Sequence, residues 1–312
     1  MENQITMTEF ILMELASDPQ LQIFLFLVFL VIYLITLLGN MLIMLVIRAD
    51  PHLHTPMCFF LSNLSFVDIC YSSITVPKML VNFLAEQKTI SIDSCLIQMF
   101  FFLASGTTEI FMLSAMAYDR YEAICHPLNY IQNMSKWVCI QLARGAWAIK
   151  FTLALVNTLV LRVHFCKFNK INHFCCEIPP VLHISCSDTL ANEAISSVIV
   201  GLGSSSVIIV SYSLIISTIL RIRSTERWHK AFSTCGSHLT VVLLFCVKAF
   251  FKYLRPASGS SFEKIVTVQY SILTPMLNPI IYILKNRGKD RPVQSLRERP
   301  MFSKHNGAKI IV

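Results

Sequence analysis

The sequence predicts an all-α bundle of seven membrane-spanning helices folded as a single domain over residues 1–312, and three observations predict it. The first is composition: 54% of the residues are hydrophobic and 14% charged, with a mean hydropathy of +0.61, far from a soluble average. The second is length. Apolar runs of roughly 20 residues or more, enough to cross a hydrocarbon core of about 30 Å, lie near 23–47, 57–82, 96–118, 138–161, 195–220, 232–254 and 264–284. The third is continuity: a membrane barrel needs short alternating strands, whereas these runs are unbroken, so each must satisfy its backbone groups within a helix. No repeat, linker or low-complexity stretch divides the chain.

Basic residues in short loops stay cytoplasmic and set the orientation. The flank before the first run, residues 1–22, carries Glu2, Glu9, Glu14 and Asp18 and no Lys or Arg. The stretch after the fifth run holds Arg221, Arg223, Arg227 and Lys230, and residues 285–312 hold Lys285, Arg287, Lys289, Arg291, Arg297 and Arg299. The N-terminus is therefore expected outside and the C-terminus in the cytoplasm. The formal charge of +8 is then a topology signal suited to lipid head groups, not to nucleic acid. The first run lacks a basic flank before it and a small-residue cleavage pattern after it, so the first helix is expected to act as the insertion signal.

Polar groups inside apolar helices need partners, which singles out Asn40, Asp68, Glu109, Arg120 and Asn278. Asp119-Arg120-Tyr121 places an ion pair at the inner end of the third run, either as a switch or as a structural pair that is worth little if solvated. Asp68 and Glu109 would repel if both were ionised in low dielectric, so either one takes a proton or a cation sits between them. Pro279 removes a backbone donor in the seventh run and permits a kink, one turn before Tyr282. Cys95 opens the third run, and Cys166, Cys175, Cys176 and Cys186 share the long segment between the fourth and fifth. That side faces an oxidising compartment, where disulfides persist, but spacing does not choose among the pairings. Cys58, Cys70, Cys125, Cys139, Cys235 and Cys246 read as small buried thiols.

Five stretches then occur in order: LHTPMCFFLSNLSFVDICYSS at 53–73, MAYDRYEAICHPLNY at 116–130, SY at Ser211-Tyr212, KAFSTCGSHL at 230–239 and PMLNPIIY at 275–282. On these stretches the chain resembles the rhodopsin-like G-protein-coupled receptors, and within them the odorant (olfactory) receptors. The resemblance implies a multi-pass plasma-membrane receptor, without enzymatic activity, for a small volatile odorant. It also implies that a heterotrimeric G protein of the stimulatory olfactory type raises cyclic AMP. It implies bridges from Cys95 to Cys176 and from Cys166 to Cys186, leaving Cys175 outside both. Asp119, Arg120, Tyr121, Tyr212, Asn278, Pro279 and Tyr282 would form the switch, with Arg120 held by Asp119 at rest. Asp68 and Glu109 would hold a sodium ion in the resting state; no other cofactor is implied. The ligand site is expected in the outer half of the bundle, with Phe102, Leu103, Gly106 and Thr107 on the third helix and Lys248, Ala249, Phe250 and Tyr253 on the sixth.

Several positions depart from the family pattern. Asn3-Gln4-Ile5 is not a glycosylation sequon, and the sequons at Asn63 and Asn133 fall in the second run and the inner side. Cys58 and Cys246 stand where Tyr is expected, and Glu122 stands where an aliphatic residue is usual. A lysine near a helix centre costs about 3 kcal/mol on insertion scales, so Lys150, Lys248 and Lys252 must each snorkel, pair or face water. Lys248 in the cavity wall would favour acids or aldehydes. Gly288 and Pro292 disfavour a helix after the seventh run. These departures leave a decayed or poorly trafficked receptor as the alternative, ahead of a small-molecule transporter, which should show two related halves. His173, Cys175, Cys176 and Glu177 are the one cluster resembling metal ligands, with Cys176 already assigned to a bridge.

Overall fold

The computed structural model describes residues 9–13, 18–162, 170–171, 173–176, 181, 184, 206–218, 236, 239–244, 268 and 272–286. Cys166, Glu177, Cys186, Lys248, Ala249, Phe250, Lys252 and Tyr253 lie outside the described residues, as do the basic stretch 221–230 and everything after residue 286. In chain order the elements are β1 (Glu9–Leu12), α1 (Pro19–Ala49), a 3-10 turn (Pro51–Leu53), α2 (Pro56–Leu84), β2 (Thr89–Ser91), α3 (Ile92–Cys125), the one-turn α4 (Tyr130–Asn133), α5 (Lys136–Arg162), β3 (Lys170–Ile171), α6 (Ser206–Thr218) and α7 (Thr274–Asn286). Residues 239–244 are helical within the sixth apolar run. Among the described residues α1, α2, α3 and α5 are long and apolar enough to cross a membrane.

The first three long helices start at local side-chain caps. Asp18 caps α1 by accepting from the Gln20 amide, and Pro19 fills the first turn, where its missing N–H costs nothing. Asp50 ends the helix, and Pro51 cannot extend it. Thr55 caps α2 by accepting from Cys58 N, again followed by Pro56. Ser91 caps α3 by accepting from Ser94 N, and Asp93 places negative charge in the first turn, where the helix dipole favours it. These caps lie beyond the apolar runs, so the helices outlast the hydrophobic stretches that mark them.

Burial separates lipid-facing from protein-facing sides. Along α1 only Phe29, Thr36, Asn40 and Ile43 are buried, a spacing of seven, four and three that makes one stripe. Leu27, Val31, Leu38 and Leu45 on its other faces are exposed, as a lipid-facing helix requires. Helix α3 is the most enclosed, packed against both α2 and α5. Tyr212 and Ile215 of α6 join its core around Leu113, Met116 and Ala117. Where α1 meets α7, a Cβ at Gly39 would lie 3.2 Å from Pro279 Cγ, so the bare glycine backbone permits this approach.

A three-stranded sheet of order β2-β1-β3 covers one end of the bundle. It is small enough to leave the class all-α, but the sequence alone does not reveal it. β1 pairs antiparallel with β2, Phe10 opposite Ile90, and parallel with β3, Leu12 opposite Ile171. Strand alternation sends Phe10 and Leu12 inward, where they pack with Cys95, Leu96, Met99, Ile171 and Cys176.

Replacing Gly39 with Val should destabilise the bundle by about 1–3 kcal/mol through overpacking, read as a lower melting temperature of the detergent-solubilised protein; Gly39→Ala should cost less, because only Pro279 must give way.

Candidate functional site

Among the described residues, polar contacts gather at three levels of the bundle. At the sheet end, Cys95 and Cys176 form a disulfide across 81 residues with Cα atoms 5.4 Å apart. Gln98 on α3 accepts from the Cys176 amide at 2.9 Å and donates to the Ile74 carbonyl of α2 at 3.2 Å. Phe102 is buried with its ring 5.0 Å from that of Tyr71, while Leu103 packs against the cluster beneath the sheet. These two expected ligand residues therefore face different neighbours. Gly106 and Thr107 continue α3 one turn further along.

At mid-depth the structure joins three of the sequence-singled polar residues. Asn40 donates its amide to the Thr36 and Pro275 carbonyls, both at 3.0 Å, and Asn278 donates to Asp68 Oδ2 at 2.9 Å. Asp68 is 2% exposed and Glu109 5%. The seam ties α1 and α2 to α7 at the position where Pro279 interrupts the α7 ladder. Tyr282 follows on the same helix.

The Asp119 end differs from the expected Asp119–Arg120 clamp. Arg120 Nε lies 4.0 Å from Asp119 Oδ2, beyond hydrogen-bonding range, so the pair is a charge contact only. The strong bond to Asp119 comes from Tyr130, whose hydroxyl donates to Oδ1 at 2.8 Å. Three residues further along each helix the pattern repeats: Asn133 donates to Glu122 Oε2 at 2.8 Å. Glu122 is buried and Asn133 exposed, so this departure from the family pattern has a specific partner. Tyr121 meets His126 Nε2 at 3.0 Å, and the Cys125 thiol lies 3.2 Å from Thr218 Oγ1 of α6. Tyr212 is buried on α6 against this end of α3. Leu128 and Ile131 stand 98% and 85% exposed beside it.

Lys150 is buried on α5 with Nζ 4.8 Å from the centroid of the Phe111 ring, so it pairs with an aromatic face. Among the described residues no group of three or more His, Cys, Asp or Glu is placed to hold a metal ion. Tyr130, Asn133, Gln98 and His173 carry contacts that sequence reasoning did not assign; Tyr130 lay within the MAYDRYEAICHPLNY stretch, and Asn133 read only as a sequon.

Comparison with known proteins decides the family. The olfactory receptor family model matches residues 29–297. Olfactory receptor 5M5 of Mus musculus is 49% identical over 308 residues, covering 97% of each chain, and olfactory receptor 5F1 of Homo sapiens is 48% identical over 308 residues, covering 97% of this chain and 98% of that one. The chain belongs to the olfactory receptor family. It is a multi-pass plasma-membrane odorant receptor of the seven-helix, G-protein-coupled class, and not an enzyme. Within this olfactory receptor the described helices are six of the seven in whole or in part, with residues 239–244 belonging to the remaining one.

Tyr130→Phe and Asn133→Ala each remove a hydrogen bond to a carboxylate and should lower stability by about 1.5–3 kcal/mol, measured by thermal unfolding in detergent. Burial first, and then the bond to Asp119, raises the Tyr130 hydroxyl above its ordinary value of 10.0. The folded state thus holds that proton longer than the unfolded chain does, so the stability is full below pH 10 and falls as pH rises beyond it. Tyr130→Phe should remove that part of the alkaline loss.

Proposed function

We propose that this olfactory receptor binds a small volatile ligand at the sheet end of α3 and, through its Asp119 end, activates a stimulatory olfactory-type G protein that raises cyclic AMP. The observation that carries the reading is the arrangement around Arg120. Asp119 is held by Tyr130 while Arg120 makes only a 4.0 Å charge contact with it, so releasing the guanidinium breaks no short bond. Leu128 in the turn before α4 and Ile131 on α4 are exposed next to it, and apolar side chains so presented suit a protein partner. In this reading the sheet end faces outward, the Asp119 end faces the cytoplasm, and the basic residues Arg221, Arg223, Arg227 and Lys230 meet anionic lipid or the G protein.

The ligand is held mainly by apolar contact in the outer half of the bundle, with Phe102, Leu103, Gly106 and Thr107 as the candidates from α3 and Lys248, Ala249, Phe250 and Tyr253 as those from the sixth apolar run, where Lys248 would bias it toward acids or aldehydes. Asp68 and Glu109, both buried, hold a sodium ion in the resting bundle, which relieves the repulsion of two carboxylates in low dielectric. Against the decayed-receptor alternative, the buried Glu122 and Lys150 each have a specific partner.

Arg120→Ala should abolish ligand-evoked cyclic AMP in cells co-expressing an olfactory-type G protein while leaving surface amount within about twofold, since the contact it gives up with Asp119 is a 4.0 Å charge contact and not a short bond; undiminished signalling by the variant would overturn the coupling role. Sodium should raise the melting temperature of the wild type and not that of Asp68→Asn. An equal response of both proteins would instead favour a protonated carboxyl.

A further inference from the structure

Cys175 and Cys176 are adjacent, and only one of them can close the bridge to Cys95. Chain entropy does not discriminate, because closure cost grows with the logarithm of loop length and the two loops differ by one residue in 81. The structure nevertheless separates the two side chains. Cys176 is buried beneath the sheet with Phe10, Leu12, Cys95, Leu96 and Met99, whereas Cys175 is buried in a second cluster with Phe29, Val76, Met79 and Phe83.

We infer that Gln98 and His173 are the positioning residues that select Cys176 over Cys175 as the partner of Cys95. Gln98 is pinned to the Ile74 carbonyl of α2 and accepts from the Cys176 amide, which sets Cys176 at the depth of Cys95 one turn away. His173 acts on the competitor: its Nδ1 lies 3.3 Å from the Cys175 sulfur and 3.4 Å from the Cys175 amide, so one ring nitrogen faces both groups and turns the thiol away. The register upstream is held by the sheet, since Met13 donates to the carbonyls of Ile171 and His173, both at 3.1 Å. A slip of one residue would break the Gln98 and His173 contacts together. In the bond-forming step the thiols of Cys95 and Cys176 lose two protons and two electrons to a disulfide-bearing oxidant of the secretory compartment, and the S–S bond forms. Gln98 and His173 take no part in that transfer; they decide which sulfur is within reach.

The test uses the full-length receptor carrying Gln98→Leu and His173→Phe, which retain size. Membranes are quenched with an alkylating agent, the protein is digested without reduction, and the bridges are then reduced and labelled with a second alkylator. Fragment ions report which label sits on residue 175 and which on 176. In the wild type Cys95 should pair with Cys176 alone. Each lost hydrogen bond should raise the Cys95–Cys175 share about fivefold, so that it becomes readily detected in the double variant. Adding Cys175→Ser should then restore both a single linkage and the surface amount. Exclusive Cys95–Cys176 pairing in the double variant, or a surface defect that Cys175→Ser does not rescue, would overturn the selection role. No ligand or G protein enters the assay, so its failure is separate from any failure of the signalling reading.

Discussion

Lipid offers no hydrogen bonds, so polar groups in the spanning region must look to the protein for partners, and α3 carries such groups along its whole length. Of the four long helices it is the most enclosed. It carries Gln98 near the sheet end, Glu109 at mid-depth, and Asp119 with Glu122 at the far end, all buried. Gln98 and the far pair bond to groups far along the chain or on another element: Gln98 to α2 and to Cys176, Asp119 and Glu122 to α4. The apolar core supplies most of the burial but is non-directional. These bonds fix which way each neighbour faces.

The far end shows how geometry turns this constraint into a device. Asp119 and Glu122 are three residues apart on α3, and Tyr130 and Asn133 are three apart on α4. Positions i and i+3 share a helix face, so the two bonds run side by side. A single turn of helix would not persist alone, because its first hydrogen-bonded turn fixes several dihedrals for little return. Two bonds to carboxylates and the burial of Met134 hold it in place. The same turn displays Ile131, and Leu128 is exposed just before it. A change at the Asp119 carboxylate thus reaches an exposed apolar surface through a single hydroxyl.

The helices were legible because a run of about 20 apolar residues has few other uses, and Asn40, Asp68 and Asn278 because an amide or carboxylate in such a run demands a partner. The seam joining them follows from that demand. The sheet was not legible. Glu9–Leu12 is four residues within an acidic flank, and its partners lie some 80 and 160 residues away, so no local pattern announces it. Tyr130 was hidden for a different reason: a tyrosine in a loop carries no periodic signal, and its role depends on α4 folding back along α3. Asp119 invited pairing with its neighbour Arg120, yet consecutive residues on a helix point in different directions, and the structure gives the short bond to Tyr130.

Lys150 tests how much charge such a bundle tolerates. An ammonium near the middle of a spanning helix costs about 3 kcal/mol on insertion scales. Its Nζ lies 4.8 Å from the Phe111 ring centroid, and a desolvated cation–π contact returns about 2 kcal/mol. Burial against α3 also turns Lys150 away from lipid, so its Nζ is met within the α3–α5 interface. The same reasoning covers Glu122, whose carboxylate would be costly if buried alone and is answered by Asn133. Both charged departures therefore sit on faces turned toward protein, each against a partner of suitable chemistry.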